Sequence, residues 1–199
     1  IYGLDLGTYE IKVYDKKKNT VWKEKNVIAI ANEEEIFSVG DEAYEMFEKA
    51  PDNIEVVFPM KEGVISRFYD MQYLLNNLLK KERHFARGSK YVVAVPTDVT
   101  EVEKKAFFDL VVHSTAKAKE VNVVERAVAD AIGIGLDIQN SPGICIVNLG
   151  SETTELSVLA SGGMVFNKLV KIGGTIFDNA ISNLVRHNTN FLIGRLTAE

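Results

Sequence analysis

The sequence predicts an α/β protein in which one sheet-and-helix plan is started twice. Two observations carry this. The first is a repeated turn. Ile1-Tyr2-Gly3-Leu4-Asp5-Leu6-Gly7-Thr8 runs on into Ile11-Lys12-Val13-Tyr14-Asp15, and Ile144-Cys145-Ile146-Val147-Asn148-Leu149-Gly150-Ser151 runs on into Leu156-Ser157-Val158-Leu159. Each is an apolar strand, then Asp or Asn, Leu, Gly and a hydroxyl residue, then a second apolar strand. The second observation is element order: strands, then strand-helix-strand-helix, then strands again, which suits helices packed on a sheet. The polar stretch Asp137, Gln139, Asn140, Ser141, Pro142, Gly143 reads as a linker between the halves. The expected domains are residues 1–140, with a small inserted subdomain around 30–70, and residues 141–199, an incomplete second copy.

Short strands are expected at 1–6, 11–15, about 20–23 and about 27–31, with Lys16-Lys17-Lys18-Asn19 as a polar turn. Ile36 to Gly40 is another strand, and a helix follows from Asp41 to Lys49, stopped by Pro51. Residues 52–64 read as mixed strand and loop. From Ser66 to Arg83, the spacing of Phe68, Met71, Leu74, Leu75, Leu78 and Leu79 gives one apolar helix face. Residues 91–95 are a continuous apolar run, as in a central strand. Thr100 and Glu103 form a capping box for a helix that carries Phe107, Leu110 and Val111 on one side. A strand at Val121–Val124 precedes a helix from Glu125 to Gly135. Strands near 144–149, 154–160 and 164–171 follow, and a last helix spans about Thr175 to Arg186.

The formal net charge of −5 gives no reason to expect nucleic acid as a partner. The single cysteine, Cys145, lies in an apolar strand pattern and reads as a buried core residue in a reducing compartment. No apolar run reaches the roughly 18 residues of a membrane span. The chain has no initiator Met and no terminating pattern after Leu196-Thr197-Ala198-Glu199, so both ends read as cut. His84, His113 and His187 are scattered without metal-ligand spacing, so no structural metal is expected.

A glycine in such a hairpin lets the backbone turn tightly and approach a ligand. Exposed N–H groups and a hydroxyl there can hold phosphate oxygens. A carboxylate at the strand end can hold a metal ion through water. Two such hairpins facing each other would grip a polyphosphate from both sides.

The ordered series of motifs resembles the actin-like ATPases, which have a ribonuclease H-like fold of two related α/β domains around a nucleotide cleft. Within them it is similar to the MreB group of bacterial rod-shape proteins. Asp5-Leu6-Gly7-Thr8 matches the first phosphate motif, and Pro59-Met60-Lys61-Glu62-Gly63-Val64-Ile65 is similar to a Pro-Leu-Lys-Asp-Gly-Val-Ile stretch. Val95-Pro96-Thr97-Asp98-Val99-Thr100-Glu101-Val102-Glu103 resembles Val-Pro-Ser-Gly-Ile-Thr-Glu-Val-Glu. Ala131 to Leu136, Gly173-Gly174 and Phe191-Leu192-Ile193-Gly194 fall in family order.

The resemblance implies ATP and Mg²⁺ as ligands. It places Asp5, Gly7, Thr8, Tyr9, Glu10, Lys12, Asn148, Gly150, Ser151, Glu152, Thr153 and Gly174 around the nucleotide. Asp5 and Asn148 would face the metal through water. It also places the adenine pocket beyond Glu199. Lys12 matches a phosphate-contacting lysine of actin that MreB proteins usually lack, and its alternative is a solvent-facing strand lysine. Gly174 matches an approach to the nucleotide sugar, or is a glycine turn before a helix.

Several positions depart from the pattern. Asn148 stands for Asp, and it carries no charge for a metal shell. Ser151 and Glu152 stand for two glycines, so their side chains are expected to crowd the phosphates. Glu10 is expected to turn to solvent, since a desolvated carboxylate would repel phosphate. The family reads Glu-Glu-Pro where this chain has Glu125-Arg126-Ala127. Its second Glu orients the hydrolytic water, and Arg126 offers no acceptor for that. Glu125 and Thr153 remain as catalytic candidates, with ATPase activity left open.

The resemblance further implies filaments of the chain itself, a cytoplasmic location on the inner membrane surface, and work with cell-wall synthesis proteins to set cell shape. The loop Lys80 to Lys90, with Phe85 among cations, suits an anionic membrane surface, or is a solvated helix end. A degenerate paralogue acting as a non-hydrolysing scaffold or adaptor is the alternative. A sugar kinase of the same superfamily lacks a candidate carboxylate and sugar pocket here.

Overall fold

The computed structural model describes residues 1–33, 35–81 and 88–199. Phe85 and His84 lie outside the described residues.

Strands β1 (Tyr2–Leu6), β2 (Glu10–Asp15) and β3 (Thr20–Lys25) form an antiparallel meander. A small sheet follows from β4 (Ile28–Ala31), β5 (Glu35–Val39), the short helix α1 (Asp41–Tyr44) and β6 (Ile54–Val57). Its strand order is β5-β4-β6. A two-stranded hairpin, β7 (Met60–Lys61) with β8 (Val64–Ile65), leads into helix α2 (Phe68–Lys81). Then come β9 (Lys90–Val95), α3 (Glu101–Val112), β10 (Glu120–Glu125) and α4 (Arg126–Gly133). β9 and β10 add in parallel, so the first sheet reads β10-β9-β1-β2-β3.

The second sheet is the antiparallel meander β11 (Ile144–Leu149), β12 (Thr154–Ala160) and β13 (Gly163–Val170). It repeats the topology of β1-β2-β3. Helices α5 (Gly174–Thr189) and α6 (Arg195–Ala198) follow.

The core lies where the apolar alternation of the first sheet meets α2 and α3. Leu4, Leu6, Ile11, Val93 and Val95 pack with Leu74, Leu75 and Leu78 of α2 and Phe107, Leu110 and Val111 of α3. Burying each such side chain is worth about 1.5–3 kcal/mol. The capping box at α3 forms as expected: Thr100 accepts from the Glu103 amide, and Glu103 accepts from the Thr100 amide. The second half is different. α5 buries none of its residues, and Ile176, Phe177, Ile181 and Leu184 are exposed.

Two expectations are corrected. The helix expected from Asp41 to Lys49 ends at Tyr44. Beyond it the amides of Met46, Phe47 and Lys49 bond three residues back, and Glu48 takes a φ of 60°. This turn lets Phe47 stack on Tyr44 and meet Phe58 edge-on. Cys145 is exposed, not buried. β11 is an edge strand whose alternation half-buries Ile144 and Ile146 and leaves Cys145, Val147 and Leu149 on the open face.

A candidate polyphosphate-binding cleft

The two repeated turns share one backbone design. Gly7 donates its N–H to the Glu10 carbonyl at 3.1 Å, and Gly150 donates to the Thr153 carbonyl at 2.8 Å. A Cβ on Gly7 would stand 2.7 Å from the Glu10 oxygen, and one on Gly150 would stand 2.9 Å from the Thr153 oxygen. Only glycine closes these turns without displacing backbone.

Both turns open into one cavity of about 520 Å³. That is the size of an ordinary small-molecule site, roughly 300–1,000 Å³. Asp5, Gly7, Thr8, Tyr9, Glu10 and Lys12 line it from the first turn. Asn148, Gly150, Ser151, Thr153 and Gly174 line it from the second. Gly174 donates its N–H to the Gly150 carbonyl at 3.0 Å, which seats the start of α5 on the second turn.

Two candidates are not among the lining. Glu125 ends β10 and belongs to a separate recess beside Lys104, Lys105 and Phe108. Glu152 turns out of the cavity and accepts from the Glu62 amide at 2.5 Å. That carboxylate is held at the Glu62 amide and is not part of the cavity lining. The next amide, Gly63 N–H, donates to the Thr8 hydroxyl at 3.1 Å. The β7–β8 turn thus ties both glycine turns together. Glu62 also pairs with Lys171 at 2.5 Å, which holds its carboxyl below the usual range.

Glu10 does not simply face solvent. It lines the cavity and pairs with Lys23 at 3.6 Å. Lys12 lies 3.3 Å from Asp5 Oδ2, and Arg126 Nη2 lies 3.5 Å from Asp5 Oδ1. The Arg126 side chain is 12% exposed and points into the cavity. Its Nε and Nη2, and Asp5 Oδ1, have no hydrogen-bond partner among the described residues.

Sequence reasoning missed Asp130, Glu155, Asp178, Arg195 and Glu199, all of which line the cavity. Periodicity held part of the signal. Asp130 lies four residues after Arg126 on α4 and Asp178 four after Gly174 on α5, so each shares a helix face with a residue already singled out. Glu155 is the second residue of β12, two after the Thr153 already singled out. Most of these carboxylates are engaged. Asp130 Oδ2 accepts from Asn148 Nδ2 at 2.6 Å, and Asp178 pairs with Arg195 at 3.7 Å. Glu155 is buried and accepts from the amide and hydroxyl of Thr97, which leaves its Oε2 without a partner among the described residues. Glu199 accepts from the Tyr9 hydroxyl at 2.6 Å and the Tyr44 hydroxyl at 2.9 Å. The Tyr9 bond holds the Glu199 carboxyl below its usual range, while burial and this bond push the Tyr9 phenol up.

These residues fit a polyphosphate: glycine turns on both sides, hydroxyls at Thr8, Ser151 and Thr153, and a guanidinium whose Nε and Nη2 lack hydrogen bonds among the described residues. They do not fit Mg²⁺ between Asp5 and Asn148. Both oxygens of Asp5 already face cations, and Asn148 offers only a neutral amide oxygen, its Nδ2 being bonded to Asp130. No group of three or more His, Cys, Asp or Glu among the described residues is placed to hold a metal. No described helix is long and apolar enough to cross a membrane.

The model of the family described as MreB/Mbl protein matches residues 1–199. The cell shape-determining protein MreB of Escherichia coli (strain K12) is 37% identical over 205 residues, covering 99% of this chain and 58% of that protein. MreB5 of Spiroplasma citri, in a crystal structure bound to ADP, superimposes with a TM-score of 0.91 at 30% identity, covering 100% of this chain and 60% of that one. Its AMPPNP-bound structure gives a TM-score of 0.89. A MamK double helical filament gives 0.80 at 19% identity, covering 99% of this chain and 62% of that one, a likeness that shows the fold. The chain thus spans only part of the length of each of these relatives, and that part has the actin-like fold. With the family's motifs in order along the sequence and both glycine turns meeting at one cavity, the chain belongs to the MreB/Mbl family.

Proposed function

We propose that this chain is the phosphate-gripping part of an MreB-like cytoskeletal protein that binds ATP, polymerises with itself and helps set cell shape by guiding wall synthesis at the inner membrane surface. Residues 1–140 and 141–199 act as its two related domains, with the nucleotide between them. The observation that carries this is the meeting of two glycine turns of one design on a single cavity. Relatives named as cell shape-determining proteins, and a relative crystallised with ADP and with AMPPNP, support it. Head-to-tail contacts that do not close into a ring give filaments. Calorimetry with ATP, followed by sedimentation with and without nucleotide, tests the reading. Micromolar binding and ATP-dependent pelleting are expected, while no binding at millimolar ATP overturns it.

A second reading, a scaffold that binds nucleotide with little hydrolysis, is favoured by Arg126 in the cavity and Glu125 outside it. In that case Arg126→Glu raises phosphate release by about tenfold or more, since a positioned carboxylate polarises water. Unchanged release with nucleotide bound refutes the claim that this position limits hydrolysis.

A further inference from the structure

We propose that this cavity holds its nucleoside polyphosphate without a divalent cation, the guanidinium of Arg126 supplying the charge a metal ion would otherwise bring. The inference rests on the nucleotide reading above and departs from its expectation of Mg²⁺.

Three observations carry it. Asp5, the carboxylate at the end of β1, lies between two cations: Lys12 at one oxygen and Arg126 at the other. A magnesium ion approaching Asp5 would meet both positive charges within a few ångströms. It demands near-ideal octahedral oxygen ligands and gives up its water reluctantly. On the facing strand, Asn148 carries no charge: its Nδ2 donates to Asp130, and only the neutral Oδ1 is left to face a cation. The metal therefore lacks a free anionic ligand at either strand-end position, Asp5 or Asn148. Lastly, the Arg126 Nε and Nη2 are buried without a hydrogen-bond partner among the described residues. The ion-pair partner of Arg126, Asp5, stands at 3.5 Å, too long for a good hydrogen bond, so these buried N–H groups remain unsatisfied, which is costly. Phosphate oxygens would satisfy them with short charge-assisted bonds in a forked geometry that suits phosphate.

The phosphates would then lie against Arg126 and Lys12, with backbone N–H groups of the two glycine turns and the Thr8 and Thr153 hydroxyls around them. Asp5 would orient the two cations rather than a hydrated metal.

The test measures ADP and ATP affinity of the protein in Mg²⁺ and in EDTA, with Arg126→Gln and Arg126→Lys alongside. Affinities in the two buffers are expected to agree within about threefold, with Arg126→Gln losing about tenfold or more in EDTA and Arg126→Lys losing less. Mg²⁺ alone is expected to leave the melting temperature unchanged. Binding that needs Mg²⁺ overturns this inference and leaves the nucleotide reading intact. Binding in neither buffer overturns the nucleotide reading and this inference with it. Should Arg126→Gln not fold, the ratio between the two buffers for the unaltered protein still decides.

Discussion

The two glycine turns share a backbone and differ in what their side chains do. The first keeps its carboxylate, Asp5, and neutralises it with Lys12 and Arg126. The second has Asn148 in place of a carboxylate and bonds it to one, Asp130, on the next helix back. The first is set in a sheet covered by α2 and α3, while the second begins a sheet whose following helix buries nothing. The lesson is that the glycine skeleton of such a site is a requirement of turn geometry, whereas its charge arrangement is free to move between neighbouring elements.

The largest way to break this pairing is Gly173→Ala. Its Cβ would stand 2.6 Å from the Gly150 oxygen and 2.7 Å from the Glu152 nitrogen, backbone of the second turn that cannot step aside. A loss of about 2–3 kcal/mol, read by denaturant unfolding, is expected. A change below a few tenths would mean that α5 is not seated on that turn.

Asn148→Asp sharpens the comparison by giving the second turn the first turn's charge. It sets two carboxylates at the present 2.6 Å contact, with a repulsion of about 2–6 kcal/mol when both are ionised, from bulk water to a part-buried dielectric. One of the pair then protonates above its ordinary range. The variant's deficit in melting temperature should therefore shrink as pH falls through that raised value. A deficit that grows on acidification would contradict the shared contact.

Glu152→Ala removes the acceptor for the Glu62 amide and loosens the second turn from the β7–β8 hairpin. About 1 kcal/mol is expected, with nucleotide affinity changed little because this carboxylate lies outside the cavity lining. A marked gain in affinity would restore the idea that Glu152 repels phosphate.

The smallest effect is the pH response of the exposed Glu62–Lys171 pair. Lys171 holds the Glu62 carboxyl below its ordinary value. The stabilisation is present above the unfolded value, about 4.3, and fades as pH falls through the lower folded one. Lys171→Met should move an acid titration monitored at Glu62 up toward the ordinary carboxylate range, and an unaltered curve would assign the shift to another partner.

Much of this was legible in the sequence, because the backbone requirements are written in residue type. Glycines at 7 and 150, the capping box at Thr100 and Glu103, and the apolar face of α2 each follow from a local rule. The charge arrangement was less legible. Which way Glu152 turns depends on an amide at Glu62, ninety residues away in the chain. Asp130 matters only because α4 sets it beside Asn148. The openness of Cys145 followed from β11 being an edge strand, which apolar alternation alone does not reveal.

The β7–β8 turn presents two successive amides to opposite sides, Glu62 to Glu152 and Gly63 to Thr8. Any spreading of the cleft must stretch one of these bonds or the other. Their hydrogen-exchange rates therefore form a built-in gauge of cleft opening. Unequal rates would say which of the two turns the hairpin travels with, and equal slowing on adding a ligand would mean that both are clamped at once.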